Sequence, residues 1–273
     1  MRGSVPCAEY LRSGEMSAGA APEQDTVDWL GRPVSCGDCP HDEIRHEGRC
    51  DLGRVCVRDR RSKRIGNFFA ANPDLATRYL DHPYFEVRVL AARHASVFAL
   101  TPLLTDPEPD VRAMAAYRLP IARILPLQHD PDRKVRAVVA QRVEGATLVA
   151  MFGDEDYLVR ILAVRRAPPD ALPIAMSDPD PQVRCEVVQR IGEEFLPAMA
   201  VDDNPLVRLA VAERLPSAQL LALAADPDLR VRYVVAERGE TAALVKLIDD
   251  PDPEVQAKAR ARWADLSIGK TPA

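Results

Sequence analysis

The sequence predicts an all-α solenoid preceded by a small cysteine-rich module. Valine recurs at Val87, Val111, Val135, Val159, Val183, Val207, Val231 and Val255, each 24 residues after the last with no insertion. Ahead of this series, four cysteines fall within 21 residues. Aromatic residues are few, at 5 %, and prolines many, at 24, the reverse of a sheet protein's balance. Read in order, the chain divides into a disordered tail (1–30), the cysteine module (31–64), a helical cap (65–82), eight repeats (83–264) and a second tail (265–273).

The first segment has no apolar core of the kind a signal peptide needs, and no apolar run in the chain is long enough to span a membrane. The expected location is the cytoplasm, where thiols stay reduced and clustered cysteines point to a metal before a disulfide. With 36 Lys and Arg against 41 Asp and Glu, the net charge of −5 excludes a globally basic nucleic-acid binder, though not a local basic patch.

Each repeat reads as a helix followed by a shorter element. Asp106, Asp130, Asp178, Asp226 and Asp250 each precede proline. Aspartate accepts a bond from a free N–H at a helix start, and proline at the first helical position sacrifices no intrahelical bond. Val135, Val138, Val139 and Val143 trace one helical stripe. Breakers follow, as at Leu119-Pro120, Gly145, Ala167-Pro168-Pro169 and Leu215-Pro216. About five or six residues then remain, enough for one tight turn or 3₁₀ segment. They carry Leu100, Ile124, Leu148, Leu172, Leu196, Leu220 and Leu244, each 13 residues after its valine. Stacked units of this kind bury a continuous core. The polar Lys258 and Arg260 of the last copy suit a terminal capping repeat.

The D-P-D-x-x-V-R-x-x-V-A-x-R unit, its 24-residue period and the following leucine resemble the leucine-rich repeat variant family over Pro83 to Trp263. The resemblance implies alternating α- and 3₁₀-helices wound as a right-handed superhelix. The residues themselves give helix plus short element; the handedness comes from the resemblance.

The strongest chemical signal is Cys36-x₂-Cys39-x₁₀-Cys50-x₅-Cys56. So short and polar a segment has too little apolar material to fold by burial alone, and a metal centre is the natural tie. Four thiols suit zinc and iron–sulfur clusters alike, and the spacing leaves the two open. The resemblance implies a [4Fe–4S] cluster on Cys36, Cys39, Cys50 and Cys56, making 31–64 an iron–sulfur module, with structural zinc as the alternative. His41 and His46 lie in the same loop and are expected to be exposed rather than ligands. Cys185 is expected to be a small core residue and Cys7 a spare thiol.

Two sets of cations are candidates for an anion or partner surface. Arg54, Arg58, Arg60, Arg61, Lys63 and Arg64 form a run after the last cysteine, interrupted by Asp59. They read as an anion site or, preferably, as a solvated linker that offsets a negative cluster. Arg88, Arg112, Arg136, Arg160, Arg184, Arg208 and Arg232 each follow the repeat valine, and a second series, from Arg118 to Arg262, lies seven after it. The first series could line a phosphate groove. Its preferred reading is structural pairing, within or between repeats, because Glu108, Asp132, Asp156, Asp180 and Asp228 sit four residues before their arginines, the favourable order for a helical ion pair.

No Gly-rich phosphate loop, H-E-x-x-H or G-x-S-x-G is present, so no enzyme activity is expected. The sequence points to a protein-interaction scaffold with a structural or redox-responsive cluster. The rivals are an electron-transfer protein and a nucleic-acid-binding protein using the basic run and the arginine series.

Overall fold

The computed structural model describes residues 26–268. All regular structure among them is helical, with only two isolated antiparallel bridges, Val27 to Pro33 and Asp51 to Val55. The described residues form two compact units that divide between Leu103 and Leu104, so the first repeat groups with the cysteine module rather than with the later repeats.

In the first unit the module leads into a helix at Ser62–Ala71 and a 3₁₀ segment at Pro73–Tyr79. The expected cap therefore starts at Ser62 and takes in Lys63 and Arg64. It is itself an α-then-3₁₀ pair, starting 23 residues before the first repeat helix, Phe85–His94, rather than 24. Ile65, Phe68 and Phe69 are fully buried in it.

In the second unit the repeat helices are Pro109–Arg118, Arg133–Ala140, Tyr157–Arg166, Pro181–Arg190, Pro205–Arg214, Leu229–Arg238 and Pro253–Ile268. The intervening elements are 3₁₀ at Pro169–Ala175 and Ser217–Leu223, but a short α-helix at Thr241–Leu247 and mixtures elsewhere. The repeat valines and the leucine-position residues are no more than 1 % exposed, and one core runs from Val139 to Ala259. Each such side chain contributes about 1.5–3 kcal/mol by leaving water. Cys185 is half-buried against this core.

The Asp-Pro aspartates do not cap the helices. Capping belongs to the residue two positions later: Asp132, Asp156, Asp180, Asn204 and Asp228 accept from the N–H two residues on, at 2.7–2.9 Å. Proline at the first helical position is Pro109, Pro181, Pro205 or Pro253, not the proline after the first aspartate.

That first aspartate has a different task, and the arginine series explains it. Arg160 donates from Nε and Nη2 to both carboxylate oxygens of Asp178, 18 residues on, at 2.7 and 2.9 Å. Its Nη1 donates to the Asp154 and Glu155 carbonyls of its own leading turn, at 2.8 and 3.3 Å. Arg112–Asp130, Arg136–Asp154, Arg184–Asp202, Arg208–Asp226 and Arg232–Asp250 repeat the arrangement. Of the two structural pairings expected, within or between repeats, the bond is the one between repeats, and the acid four residues earlier is not the partner. Asn204, a neutral cap before Arg208, shows that the earlier residue is there for the helix start.

The second arginine series closes the other helix end. Arg166 Nη1 donates to the Ala140 and Val143 carbonyls of the preceding repeat, both at 2.7 Å. Arg142, Arg190, Arg214 and Arg238 do the same one repeat at a time. The last carbonyls of a helix lack intrahelical donors, and a cation there also suits the helix dipole.

Two boundaries are corrected. Residues 26–30 are not tail: Thr26 and Asp28 are buried in the module. Residues 265–268 belong to the last helix. The rest of both expected tails, 1–25 and 269–273, lies outside the described residues.

Replacing Asp178 by alanine strands the buried Arg160 guanidinium and should cost about 3 kcal/mol. Replacing Asp180 removes only a cap and should cost about 1 kcal/mol. Urea denaturation of the two variants compares them. Burial raises the pKa values of Asp130, Asp202 and Asp250, but their arginines and backbone N–H donors outweigh it and leave all three lowered. A lowered carboxylate pKa gives stability that is complete above the unfolded value and lost as pH falls through the folded one. Thermal melting should therefore hold steady down to about pH 4 and fall steeply below it.

Candidate metal centre

The module is a chain of tight turns whose polar groups are satisfied locally. The Asp28 carboxylate accepts from the Leu30 and Arg32 N–H groups at 2.9 and 2.8 Å, and Gly31 takes the left-handed φ of 80° that this turn requires. Cys39 N–H donates to the Cys36 carbonyl at 3.1 Å, closing the first cysteine turn. Arg58 Nη1 donates to the Ser35 and Asp38 carbonyls on either side of it, both at 3.3 Å. A short helix, Asp42–His46, leads to Cys50, and a turn through Gly53, with φ 83°, leads to Cys56.

Two buried groups fix the second cysteine pair. Asn72, fully buried, accepts from Arg49 Nη1 at 2.8 Å and donates to the Arg49 and Phe68 carbonyls, both at 2.9 Å. It thereby ties the residue before Cys50 to the following helix. Asp59, also buried, accepts from Arg61 N–H at 2.8 Å and Arg64 Nη1 at 2.7 Å. The acid that interrupts the basic run in sequence is thus its anchor. Neither residue was legible as a site residue, because each works through contacts that only the fold creates.

All four cysteines are free thiols; Cys36 and Cys39 are half-buried, Cys50 and Cys56 buried. Burial, then the neighbouring Cys56, Cys39 and Cys36 thiols and Asp51, push the Cys50 pKa up to about 12. Burial also raises Cys56, while the Arg58 and Asp59 N–H groups bonded to its sulfur pull the other way. The Cys50 and Cys56 thiols therefore resist ionising on their own. A bound cationic centre reverses that, since a coordinating thiol is deprotonated outright. Peptide N–H groups aimed at a sulfur suit the thiolate form. The donor set therefore fits a thiolate-bound centre. No group of three or more His, Cys, Asp or Glu among the described residues is gathered as a site for a single metal ion.

His41 is not exposed as expected. It is half-buried, its ring lies 5.2 Å from Phe68 and 5.8 Å from Tyr79, and its Nε2 shares a short hydrogen bond with the Tyr79 hydroxyl. Burial and the Arg78 cation lower its pKa. Burial, then the Cys39 and Cys56 thiols, push the Tyr79 hydroxyl up to about 12, so this ring lies beside the cysteine set. His46 is exposed.

The candidate anion surface does not survive as a single surface. Arg112, Arg136, Arg160, Arg184, Arg208 and Arg232 have side chains 7–14 % exposed, with their guanidinium donors committed to the next aspartate and to their own leading turn. Arg88 is buried and donates to the His82 and Pro83 carbonyls. Of the basic run, Arg64 is buried, Arg58 and Arg61 are half-buried, and Arg54, Arg60 and Lys63 are exposed.

Comparison with known proteins follows these two parts of the chain. Residues 26–78 match the family model described as the LRV protein FeS4 cluster, and residues 205–228 match that of the leucine rich repeat variant. A solved structure, titled a leucine-rich repeat variant with a novel repetitive protein structural motif, superposes with a TM-score of 0.80 at 42 % identity, covering 84 % of this chain and 98 % of that one. An uncharacterized 27.7 kDa protein in the nifB 3′ region of Rhodobacter capsulatus is 49 % identical over 84 residues, 31 % of this chain; the match spans 34 % of that relative's length.

Replacing Asn72 by leucine removes the tie without touching a cysteine. Losing three buried bonds should cost about 2–3 kcal/mol. Hydrogen exchange should accelerate at residues 49–56 and stay unchanged at 130–240.

Proposed function

The chain belongs to the leucine-rich repeat variant family, with an N-terminal stretch matching that family's iron–sulfur cluster module, and from this premise we propose that it is a cluster-carrying interaction scaffold. In this reading Cys36, Cys39, Cys50 and Cys56 hold a [4Fe–4S] cluster, and the repeats offer an extended surface to a protein partner. The observation that carries it is the four-thiol set itself: partly buried, and held by turns that have almost no apolar core of their own. When bound, the cluster supplies one-electron redox chemistry and ties the module together. The Arg58 and Asp59 N–H groups steady the Cys56 thiolate. Arg64 and Asp59 neutralise each other beside it, and His41 and Tyr79 screen one side from water.

The protein acts without a catalytic step of its own. The abundant aspartates of the repeats are accounted for by turns, caps and the arginine pairs. The cytoplasm is its proposed location. No described helix is long and apolar enough to cross a membrane. A nucleic-acid role is disfavoured because the arginine series is taken up by aspartates, leaving few cations to meet phosphates.

Protein purified without oxygen should be brown and contain iron and acid-labile sulfide in equal amounts. Changing any one of Cys36, Cys39, Cys50 and Cys56 to serine should abolish the colour, and changing Cys185 should not. A colourless protein with one tightly bound zinc would refute the cluster while keeping the site.

A further inference from the structure

The edge of the module next to the Cys36–Cys39 turn exposes side chains that folding alone does not require. Trp29 is 38 % exposed and Leu30 53 %. Both sit at the tip of the turn pinned by Asp28, whose carboxylate also accepts from Arg32 Nε at 2.9 Å. The turn is rigid, yet it holds two large apolar side chains outward. Trp29 stacks on Tyr84 with ring centroids 6.0 Å apart and planes 8° from parallel. Arg60 is exposed and is fixed to this edge by its N–H bond to the Val27 carbonyl at 3.1 Å. Arg58, two residues earlier, is held to the Cys36–Cys39 turn by its bonds to the Ser35 and Asp38 carbonyls.

We infer that this edge, formed by Trp29, Leu30, Tyr84, Arg58 and Arg60, docks an acidic one-electron carrier protein. The inference rests on the reading of the module as an iron–sulfur centre. Tryptophan, tyrosine and arginine around an apolar patch are the composition of a protein-binding hot spot. The cations select an acidic partner and steer its approach. A nucleic acid fits less well, since two arginines neutralise few phosphates and a leucine at the tip finds no base-edge role.

The position also serves transfer. From the cysteine set the rings run Tyr79 to His82 at 6.1 Å and His82 to Trp29 at 6.5 Å, so a carrier seated on Trp29 meets a packed path inward. Trp29 and Arg60 would seat the carrier, and a cluster held by the four cysteines would accept one electron from its reduced centre. No bond forms or breaks and no proton moves.

The test uses the full chain, purified anaerobically, with a plant-type ferredoxin as the acidic carrier and cytochrome c as a basic one. Calorimetric affinity for ferredoxin should fall at least tenfold in R60E and in W29A, and should fall with added salt, while iron content stays that of the parent. Cytochrome c should bind more weakly than ferredoxin. An affinity unchanged in both iron-loaded variants overturns the docking surface and leaves the cluster reading intact. So does tighter binding of cytochrome c, or an oligonucleotide that displaces ferredoxin and is itself weakened by R60E. A parent protein without iron overturns the cluster reading, and this inference with it.

Discussion

The bond on which the repeat architecture depends is the one between the arginine of a repeat, from Arg112 to Arg232, and the aspartate that opens the next. A buried charge is costly unless it is paired and hydrogen-bonded. Here the guanidinium meets a carboxylate with two parallel bonds and takes two carbonyls of its own leading turn. That geometry accepts one spacing only. A residue inserted anywhere between an arginine and the aspartate 18 positions on would leave both charges stranded, which accounts for a period kept at 24 from Val87 to Val255. The apolar core would tolerate some slippage, because valine against leucine is not directional; the ion pair would not. The second arginine series adds a constraint of the same kind, since the final carbonyls of one helix are completed by the next repeat. A single repeat would leave polar groups unmet at both ends, so the units are stable only as an array.

Much of this was legible in the sequence, and the parts that were not share a physical reason. The period, the apolar positions and the helix-plus-short-element unit follow from side-chain spacing alone. The partner of the arginine did not, because sequence reading favours neighbours three or four residues away. The true partner, 18 residues on, becomes a neighbour only when two repeats stack. Asp154 and Asp202 obscured the series further, since neither precedes proline. The second arginine series was visible but had no evident task, because its acceptors are backbone carbonyls, which leave no mark in a sequence. In the module the four cysteines stood out. Asn72, Asp59 and Tyr79 did not, as each acts across a fold that the thiols help to define. Asp28 read as tail because a polar turn and a polar tail have the same composition.

The structure also redistributes the charges that a functional reading would invoke. With the arginines of the first series drawn inside, the outward cations of the repeats are scattered and individually weak. What remains distinctive in chemical terms lies in the module: four thiols, two of them buried and resistant to ionising on their own, N–H groups directed at one of these, and a ring-lined side at Phe68 and Tyr79. The repeats present shape, and the module presents chemistry. A protein built this way is suited to holding a reactive centre in a fixed setting for a partner to find.

The central claim is that these four thiols hold one four-iron cluster. Mössbauer spectroscopy of anaerobically purified protein, grown on the Mössbauer-active isotope of iron, tests it most directly. The account predicts the signal of a thiolate-ligated [4Fe–4S] cluster, present in the parent and absent once Cys50 is serine. Iron spectra of isolated mononuclear sites, or a protein that carries zinc and no iron, would contradict it.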